Sequence, residues 1–374
     1  MAELQTPATS SIPIKHAKIL KGPLQMAFDI TNRCNFKCLH CYNRSGEHDR
    51  IHDELKDKEV IKFIKDVVKI KPLNLCICGG EPLLREELVY EVAKILSREN
   101  IMVSLVTNGS LMTEDRAKRL LDSGIERIQV SLDGASAETH ERLRGFKGSF
   151  KKVLDAISIL KSINGSKTIV GVAFCPTRFN CHEFEKVFYM CKEREVDSIR
   201  IQPLMLLGRA QLNIRGIEPT PLQYRNLMRT INSLCYKYGS ASIDWGDPID
   251  HLIRNSSVAQ HCVVFVHIFS NGDIAASPYL PIVVGNIKRY SFIKYWDAGL
   301  ARMWESELLK KFANKIKSIP DLGKEHNGLP IVMFDEDIYV DLVDDNLFKV
   351  KESTVRSQNS GARREIQAGS LPGN

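Results

Sequence analysis

The segment CNFKCLHC at positions 34–41 carries three cysteines, Cys34, Cys38 and Cys41, separated by three and then by two residues. It follows the short apolar run 26–30, which has the composition of a β-strand. Three thiols on a compact loop suit an iron–sulfur cluster, zinc or copper(I). Structural zinc sites and simple ferredoxin clusters take four protein ligands. Three local thiols without an evident fourth therefore predict a metal centre with one position open for chemistry.

Two other interpretations of the loop stand beside this one. The three cysteines would also suit burial as small apolar side chains, or membership of a zinc site. The polar and basic residues 31–33, together with His40 inside the loop, argue against simple burial. An iron–sulfur centre is the prediction, with zinc as its main rival.

The CxxxCxxC loop resembles the signature of the radical S-adenosylmethionine (radical SAM) enzymes. This resemblance implies that Cys34, Cys38 and Cys41 hold one [4Fe-4S] cluster whose fourth iron is chelated by S-adenosylmethionine. It also implies reductive cleavage of S-adenosylmethionine to a 5′-deoxyadenosyl radical that abstracts hydrogen from a substrate. In such enzymes the cofactor carries the hard step, and the protein supplies binding, orientation and exclusion of side reactions.

Composition limits the alternatives. The 374 residues are enough for one large domain or two moderate ones, and the 43% apolar and 26% charged residues are ordinary for a globular protein. The net charge of +7 is not gathered into a basic stripe, which argues against a nucleic-acid partner. The first residues lack a secretory signal, and no apolar run is long enough for a membrane span. Ten cysteines without an export signal predict a reducing compartment, so the expected location is cytoplasmic.

From residue 24 onward, strand-like and helix-like segments alternate. Such alternation predicts a parallel sheet with right-handed crossovers, and the resemblance implies an α/β fold, a partial TIM-like (β/α)6 barrel with chemistry at the C-terminal ends of its strands. The predicted strands are 26–30, 73–78, 102–106, 125–132, 168–174 and 198–202. The predicted helices between them are 57–69, 86–98, 113–123, 150–163 and 182–194.

The first cofactor candidates follow the second predicted strand. Gly79 and Gly80 allow a close backbone approach, and Glu81 offers a carboxylate to a cationic amine. The sequence GGEP at 79–82 is similar to the family motif that engages the methionyl amino group, although a plain turn has the same composition.

Further candidates follow later strands. The resemblance implies that Ser131 contacts the ribose and that Arg144 binds the methionyl carboxylate, as a two-pronged guanidinium can. It places His40 near the adenine, and Asn108 and Leu204 at the adenosine. A surface arginine and a loop hydrogen bond are the alternatives for Arg144 and His40. Cys76 and Cys78 share one strand face and are interpreted as buried structural residues.

The C-terminal part is similar to the SPASM or twitch extension of radical SAM enzymes. An Asn-Gly hairpin signal at 271–272 precedes a Gly-Asn-Ile step and a tryptophan-containing segment. Ser277 stands where that family has a cysteine, and Cys262 is the only thiol after Cys235. We therefore expect the fold of the extension, as a smaller α+β unit, without an auxiliary cluster, although Ser277 or a histidine (His261, His267) would be an unusual ligand.

Four segments are predicted: a lead-in at 1–23, the radical SAM core at 24–218, the extension at 219–350 and a disordered tail at 351–374. Residues 243–248 are expected to form a loop and residues 297–318 an amphipathic helix. The segment 331–350 is expected to form one or two short strands.

The predicted function is hydrogen abstraction from a peptide or protein, with a ferredoxin or flavodoxin as reducing partner. The alternative substrate is a small molecule, such as a sugar, a nucleoside or a tetrapyrrole intermediate. A non-catalytic metal-binding protein is the alternative of another class, and it would need four ligands and no GGEP motif. Residues that could reach the substrate from the last strand or the extension are Arg200, Asp244, Asp247 and Tyr279.

Overall fold

The structure of the protein is a computed structural model. It describes residues 20–47, 52–163, 168–213, 216–239, 242–246, 249–250, 252–253, 263–322 and 338–345. The predicted lead-in falls almost wholly outside these residues, and so do the predicted tail, His261, Cys262 and Asp247.

Eleven described strands form one sheet in the order β11-β10-β9-β8-β1-β2-β3-β4-β5-β6-β7. The strands are β1 (Gln25–Thr31), β2 (Asn74–Gly79), β3 (Met102–Thr107), β4 (Arg127–Ser131), β5 (Ile169–Phe174), β6 (Ser198–Ile201), β7 (Ile243–Trp245), β8 (Phe265–Ile268), β9 (Asp273–Ser277), β10 (Leu280–Asn286) and β11 (Ile338–Tyr339).

Ten α-helices accompany this sheet in the described part of the chain. They are α1 (Asp57–Ile70), α2 (Glu86–Arg98), α3 (Glu114–Asp122), α4 (Ala137–Arg144), α5 (Ser149–Ile163), α6 (Phe184–Glu193), α7 (Arg209–Asn213), α8 (Pro221–Tyr238), α9 (Phe292–Asp297) and α10 (Glu307–Lys315). The first helix illustrates their origin. Its residues Val60, Phe63, Ile64 and Val67 recur at helical spacing and are all buried against the sheet. None of the described helices has the length and apolarity needed to cross a membrane.

The six strands from β1 to β6 lie side by side and parallel, each separated from the next by at least one helix. This confirms the predicted (β/α)6 architecture. The strand β1 is buried at every position after its first residue, because helices cover one face and side chains fill the other. Its C-terminal end leads directly into the loop that carries Cys34.

The extension does not form a separate sheet. Strand β8 pairs in parallel with β1, and β7 pairs in parallel with β6, so strands from the extension continue the barrel sheet at both ends. The predicted hairpin is confirmed: β8 and β9 are antiparallel, and Gly272 turns between them with φ of +91°. The predicted domain boundary near residue 218 stays a prediction.

Two local predictions were wrong. The segment expected to be a loop contains β7, whose backbone is bound by the edge of β6; three residues are too few for a clear period in sequence. The segment 297–318 is not one helix, because a 3₁₀ turn at Leu300–Glu305 ends before Ser306. The Ser306 hydroxyl accepts the Leu309 N–H at 3.2 Å and so begins α10 as a new helix.

Candidate active site

The three loop cysteines line a cavity of about 270 Å³ at the C-terminal ends of the parallel strands. The loop segment, the ends of β2, β3, β4 and β5 and the segment after β6 meet there, as expected for a TIM-like sheet. The lining residues used below are Cys34, Cys38, His40, Cys41, Tyr42, Cys78, Gly79, Gly80, Asn108, Ser131, Arg144, Cys175, Arg200, Gln202 and Arg209.

The two glycines at the end of β2, Gly79 and Gly80, pack against the backbone that leads into the cysteine loop. A Cβ atom on Gly79 would lie 2.1 Å from the Thr31 carbonyl oxygen, and one on Gly80 would lie 2.1 Å from that of Arg33. The Gly80 N–H donates to the Thr31 carbonyl at 2.8 Å. Any side chain at either position would push β2 away from the loop. The glycines therefore fix the height of the cysteine loop above the sheet.

Glu81 is fully buried and links three segments. Its carboxylate accepts the Thr107 hydroxyl at 2.8 Å, the Asn108 N–H at 2.8 Å and the Leu83 N–H at 3.1 Å. Burial raises the pKa of Glu81 above its usual value, against the effect of the hydrogen bonds from Asn108 and Thr107. This side chain holds the ends of β2 and β3 together, and its predicted contact with the methionyl amino group stays a prediction.

A buried carboxylate organises the opposite wall. Asp133, at 0% exposure, lies 2.6 Å from Arg144 Nη2 and 3.2 Å from His40 Nε2 through its Oδ2 atom. Its Oδ1 atom accepts the Cys175 N–H at 2.8 Å, and its own N–H donates to His140 Nδ1 at 3.1 Å. Burial opposes ionisation of Asp133, but Arg144 and His40 outweigh it and hold its pKa below the usual value.

Two arginines hold the cysteine loop from outside its own segment. Arg144 directs Nη1 toward Cys38 Sγ at 3.8 Å. Arg209, in α7, donates to the carbonyls of Cys38 and Ser45, each at 2.8 Å, and to Glu47 at 2.9 Å. It is only 2% exposed. The conformation of the loop is therefore set by residues far from it in sequence.

The residues present fit a metal cluster with a polar ligand beside it. Burial raises the pKa of the Cys34 thiol to about 12, and it raises that of Cys38 to about 11 despite the nearby guanidinium. Two such buried thiols need a cationic partner to be thiolates together. Around them, His40 Nδ1, Arg144 Nε and Gln202 Nε2 are buried without a hydrogen-bond partner in the described part of the chain. Buried polar atoms are normally paired, so these atoms indicate a polar ligand in the cavity.

The structure brings most of the predicted residues together, but not all in the expected manner. Ser131 lines the cavity. Asn108 also lines it, although its side chain already bonds Asn35 at 2.9 Å and Ser110 at 2.7 Å. The Leu204 side chain is outside the cavity lining and packs with Ala210 and Ile217. None of these roles toward S-adenosylmethionine is tested by the geometry, and they stay predictions.

Sequence reasoning missed Arg209 as a site residue, and it gave Asp133 no individual role although it selected the segment 131–134 at the end of the fourth strand. Asp133 lies in the Ser-Leu-Asp-Gly step that ends the fourth strand, so its position at a strand end was the available signal. No local pattern marks Arg209, because its partners Cys38, Ser45 and Glu47 lie more than 160 residues earlier, and only the fold brings them together.

Three of the predicted substrate-side residues lie in the described part of the chain. Arg200 lines the cavity and pairs with Asp244 of β7. Tyr279 of the extension packs its ring against that of Tyr42, with centroids 5.9 Å apart.

Ser277 is buried, and its hydroxyl accepts the Tyr279 N–H at 3.1 Å. The expected lack of an auxiliary cluster stays a prediction.

A parallel barrel sheet with three thiols, buried cations and a cavity at its strand ends defines a cofactor-dependent enzyme of TIM-like architecture. Residues 28–188 match the family model of the radical SAM superfamily. Enzymes of that superfamily use a [4Fe-4S] cluster and S-adenosylmethionine, and the three thiols and the cavity of this chain fit both groups.

Individual proteins are also similar to this chain in sequence or in fold. The chain is 28% identical to the AdoMet-dependent heme synthase of Methanosarcina barkeri over 298 residues, which cover 74% of this chain and 82% of the relative. It is 27% identical to the PqqA peptide cyclase of Bradyrhizobium diazoefficiens, over 62% of this chain and 60% of the relative. Among solved structures, Streptococcus suis SuiB bound to S-adenosylmethionine has a similar fold, with a TM-score of 0.61 and 15% identity over 75% of this chain and 67% of that one.

Proposed function

We propose that the protein abstracts a hydrogen atom from a peptide or protein substrate, using a cluster held by Cys34, Cys38 and Cys41. The observation that carries this proposal is the placement of three thiols on one wall of a cavity whose other walls offer unpaired N–H groups. When bound, the cluster and S-adenosylmethionine supply a one-electron reduction that generates a strong hydrogen-abstracting group.

The residues of this chain have defined tasks in that proposal. Arg144 Nε is unpaired and buried, so it can bind the methionyl carboxylate while Asp133 fixes the guanidinium plane. Gly79 and Gly80 hold the loop close to the sheet, and Ser131 and Asn108 line the part of the cavity assigned to the nucleoside. Glu81 positions Asn108 by binding its N–H.

The comparisons support a peptide substrate. The names of PqqA peptide cyclase and of SuiB bound to its precursor peptide SuiA agree with this class.

The cluster assignment is tested first, without a substrate. Anaerobically reconstituted wild type should release 5′-deoxyadenosine from S-adenosylmethionine in the presence of dithionite, and Cys38→Ala should not. Cys235→Ala is the matched control, because that thiol lies in α8 and is not among the cavity-lining residues. Equal release by wild type and Cys38→Ala would refute the proposal.

The substrate class is then tested by isotope transfer. Peptides with fully deuterated side chains should transfer deuterium into 5′-deoxyadenosine, which mass spectrometry detects as a gain in mass. Transfer from a deuterated tetrapyrrole bearing propionate groups, and none from any peptide, would overturn the peptide assignment while leaving the radical chemistry intact.

A tetrapyrrole substrate is the second candidate. The specific observation in its favour is the similarity to a heme synthase over 82% of that relative's length, more than the 60% for the peptide cyclase. For either substrate we propose that a ferredoxin or flavodoxin delivers the electron, in the cytoplasm.

A further inference from the structure

Three side chains of types that bind metals, those of Asp29, Cys78 and His267, meet on neighbouring strands and do not belong to the cysteine loop. In the sheet register Asp29 of β1 lies opposite Cys78 of β2, and His267 of β8 lies opposite Ala27, two residues before Asp29. Side chains two residues apart on a strand point to the same face. The three side chains therefore converge on the inner face of the barrel.

Their ligand atoms are already close together. His267 Nε2 lies 3.0 Å from Asp29 Oδ1, and Cys78 Sγ lies 3.3 Å from the same oxygen. The three atoms lie within 4.8 Å of one another. Ligands bound to a tetrahedral zinc ion at about 2.0–2.3 Å are separated from each other by about 3.3–3.8 Å. Only small side-chain movements separate the described arrangement from such a site.

Among the described residues, the basic group that lies beside Asp29 is the His267 ring, and no lysine or arginine pairs with this carboxylate. The carboxylate is 2% exposed, and its side-chain contacts recorded in the described residues are the Cys78 thiol, the His267 ring and the Asn43 amide, with no lysine or arginine. Buried carboxylates are normally paired with a cation or coordinate a metal. Asn43 Nδ2 binds Oδ2 at 3.2 Å, which leaves Oδ1 directed at the thiol and the imidazole.

We propose that Asp29, Cys78 and His267 bind one zinc ion in the wall of the active-site cavity. One sulfur, one nitrogen and one oxygen form a borderline-soft set that suits zinc. A thiolate and a carboxylate also balance its two positive charges. Cys78 lines the same cavity as the cluster cysteines, so a fourth coordination position faces the space where a substrate enters. There zinc would hold a water molecule or a substrate carboxylate or thiolate.

Elemental analysis of the anaerobically purified protein tests this inference independently of its radical chemistry. Wild type should contain stoichiometric zinc in addition to iron, and Cys38→Ala should lose iron but keep zinc. His267→Gln and Cys78→Ser should each weaken zinc binding by at least about 100-fold while keeping iron. Cys76→Ser is the matched control, since Cys76 lies on the same strand face two residues from Cys78 and is outside the triad.

Visible absorption of the cobalt(II)-substituted protein is a second test, and it leaves Asp29, Cys78 and His267 unchanged. The sample is Cys38→Ala, which lacks the iron–sulfur chromophore. Cobalt(II) should give a thiolate charge-transfer band and intense bands typical of four-coordinate cobalt, and zinc should remove both. Absence of these bands overturns the proposal. So does zinc that is equally abundant in wild type and His267→Gln, which would identify the triad as a hydrogen-bonded link between β1 and β8.

Discussion

Asp133→Asn isolates the electrostatic centre of the cavity wall. The substitution keeps the shape of the side chain and an acceptor for the Cys175 N–H, but it removes the negative charge between Arg144 and His40. The Arg144 side chain is 12% exposed and keeps its positive charge in the variant. Among the described residues no other carboxylate forms an ion pair with it. Removing one partner of a buried ion pair costs about 3–5 kcal/mol. We expect the free energy of unfolding of the cluster-free protein to fall by that amount.

Urea denaturation followed by circular dichroism measures this loss. The control is Asp155→Asn, which removes the carboxylate of an exposed pair with Lys151 whose side chains are 52% and 81% exposed. An exposed helical pair of this kind contributes only about 0.3–0.5 kcal/mol. Asp133→Asn combined with Arg144→Gln should recover part of the loss, because no unpaired charge then remains buried.

The lowered pKa of Asp133 also predicts how its contribution to the free energy of unfolding changes with pH. Because the folded pKa of Asp133 lies below the usual value of 3.8, its contribution is fully present above that value and is lost as the pH falls through the folded pKa. The stability difference between wild type and Asp133→Asn should therefore stay constant from neutral pH down to about pH 5. A loss no larger than that of Asp155→Asn would refute the reasoning.

Three other substitutions test the supports of the site. Gly80→Ala should abolish stable iron incorporation, measured as iron per chain after reconstitution. Gly148→Ala should keep it: its φ of +85° makes the substitution locally strained, but a Cβ there meets nothing within 4 Å and so displaces no neighbour. Arg209→Ala should leave the secondary structure intact by circular dichroism but raise the rate of iron loss to a chelator at least about 10-fold, and an unchanged rate would remove its role in holding the loop. Gly285→Ala should lower the melting temperature by several degrees, since a Cβ there would lie 2.3 Å from the Tyr295 ring, and an unaltered melting curve would contradict that packing.

The sequence predicted those parts of the fold that depend on local pattern. The boundaries of α2 were predicted residue for residue, and the strands from β1 to β6 were each found within about two residues. Periodicity is strong there because each element buries one face or both. It failed for β7, a three-residue strand, and for the region broken at Ser306, where a cap overrides the apolar repeat.

The residues of the candidate site also fall into those that a local motif predicts and those that only long-range contacts bring together. Gly79 and the loop cysteines could be selected from the sequence because the motifs that contain them are local. The partners of Asp133 and the position of Arg209 depend on contacts across the sheet, which no spacing reveals. Cys78 was interpreted as structural from its position on one strand face with Cys76. Its neighbours Asp29 and His267 lie 49 and 189 residues away in the chain, so no local spacing could reveal them.

The continuous sheet has a consequence for how this protein can be divided. Strand β1 is an interior strand only because β8 lies beside it. A chain cut after β6 would leave the main-chain groups on that side of β1 open to pair with other molecules, directly below the loop that carries the three thiols. The extension is thus not a detachable module. Strand β1 is held by β2 on one side and by β8 on the other, so grafting the extension onto another barrel would also remove or replace one of these two pairings.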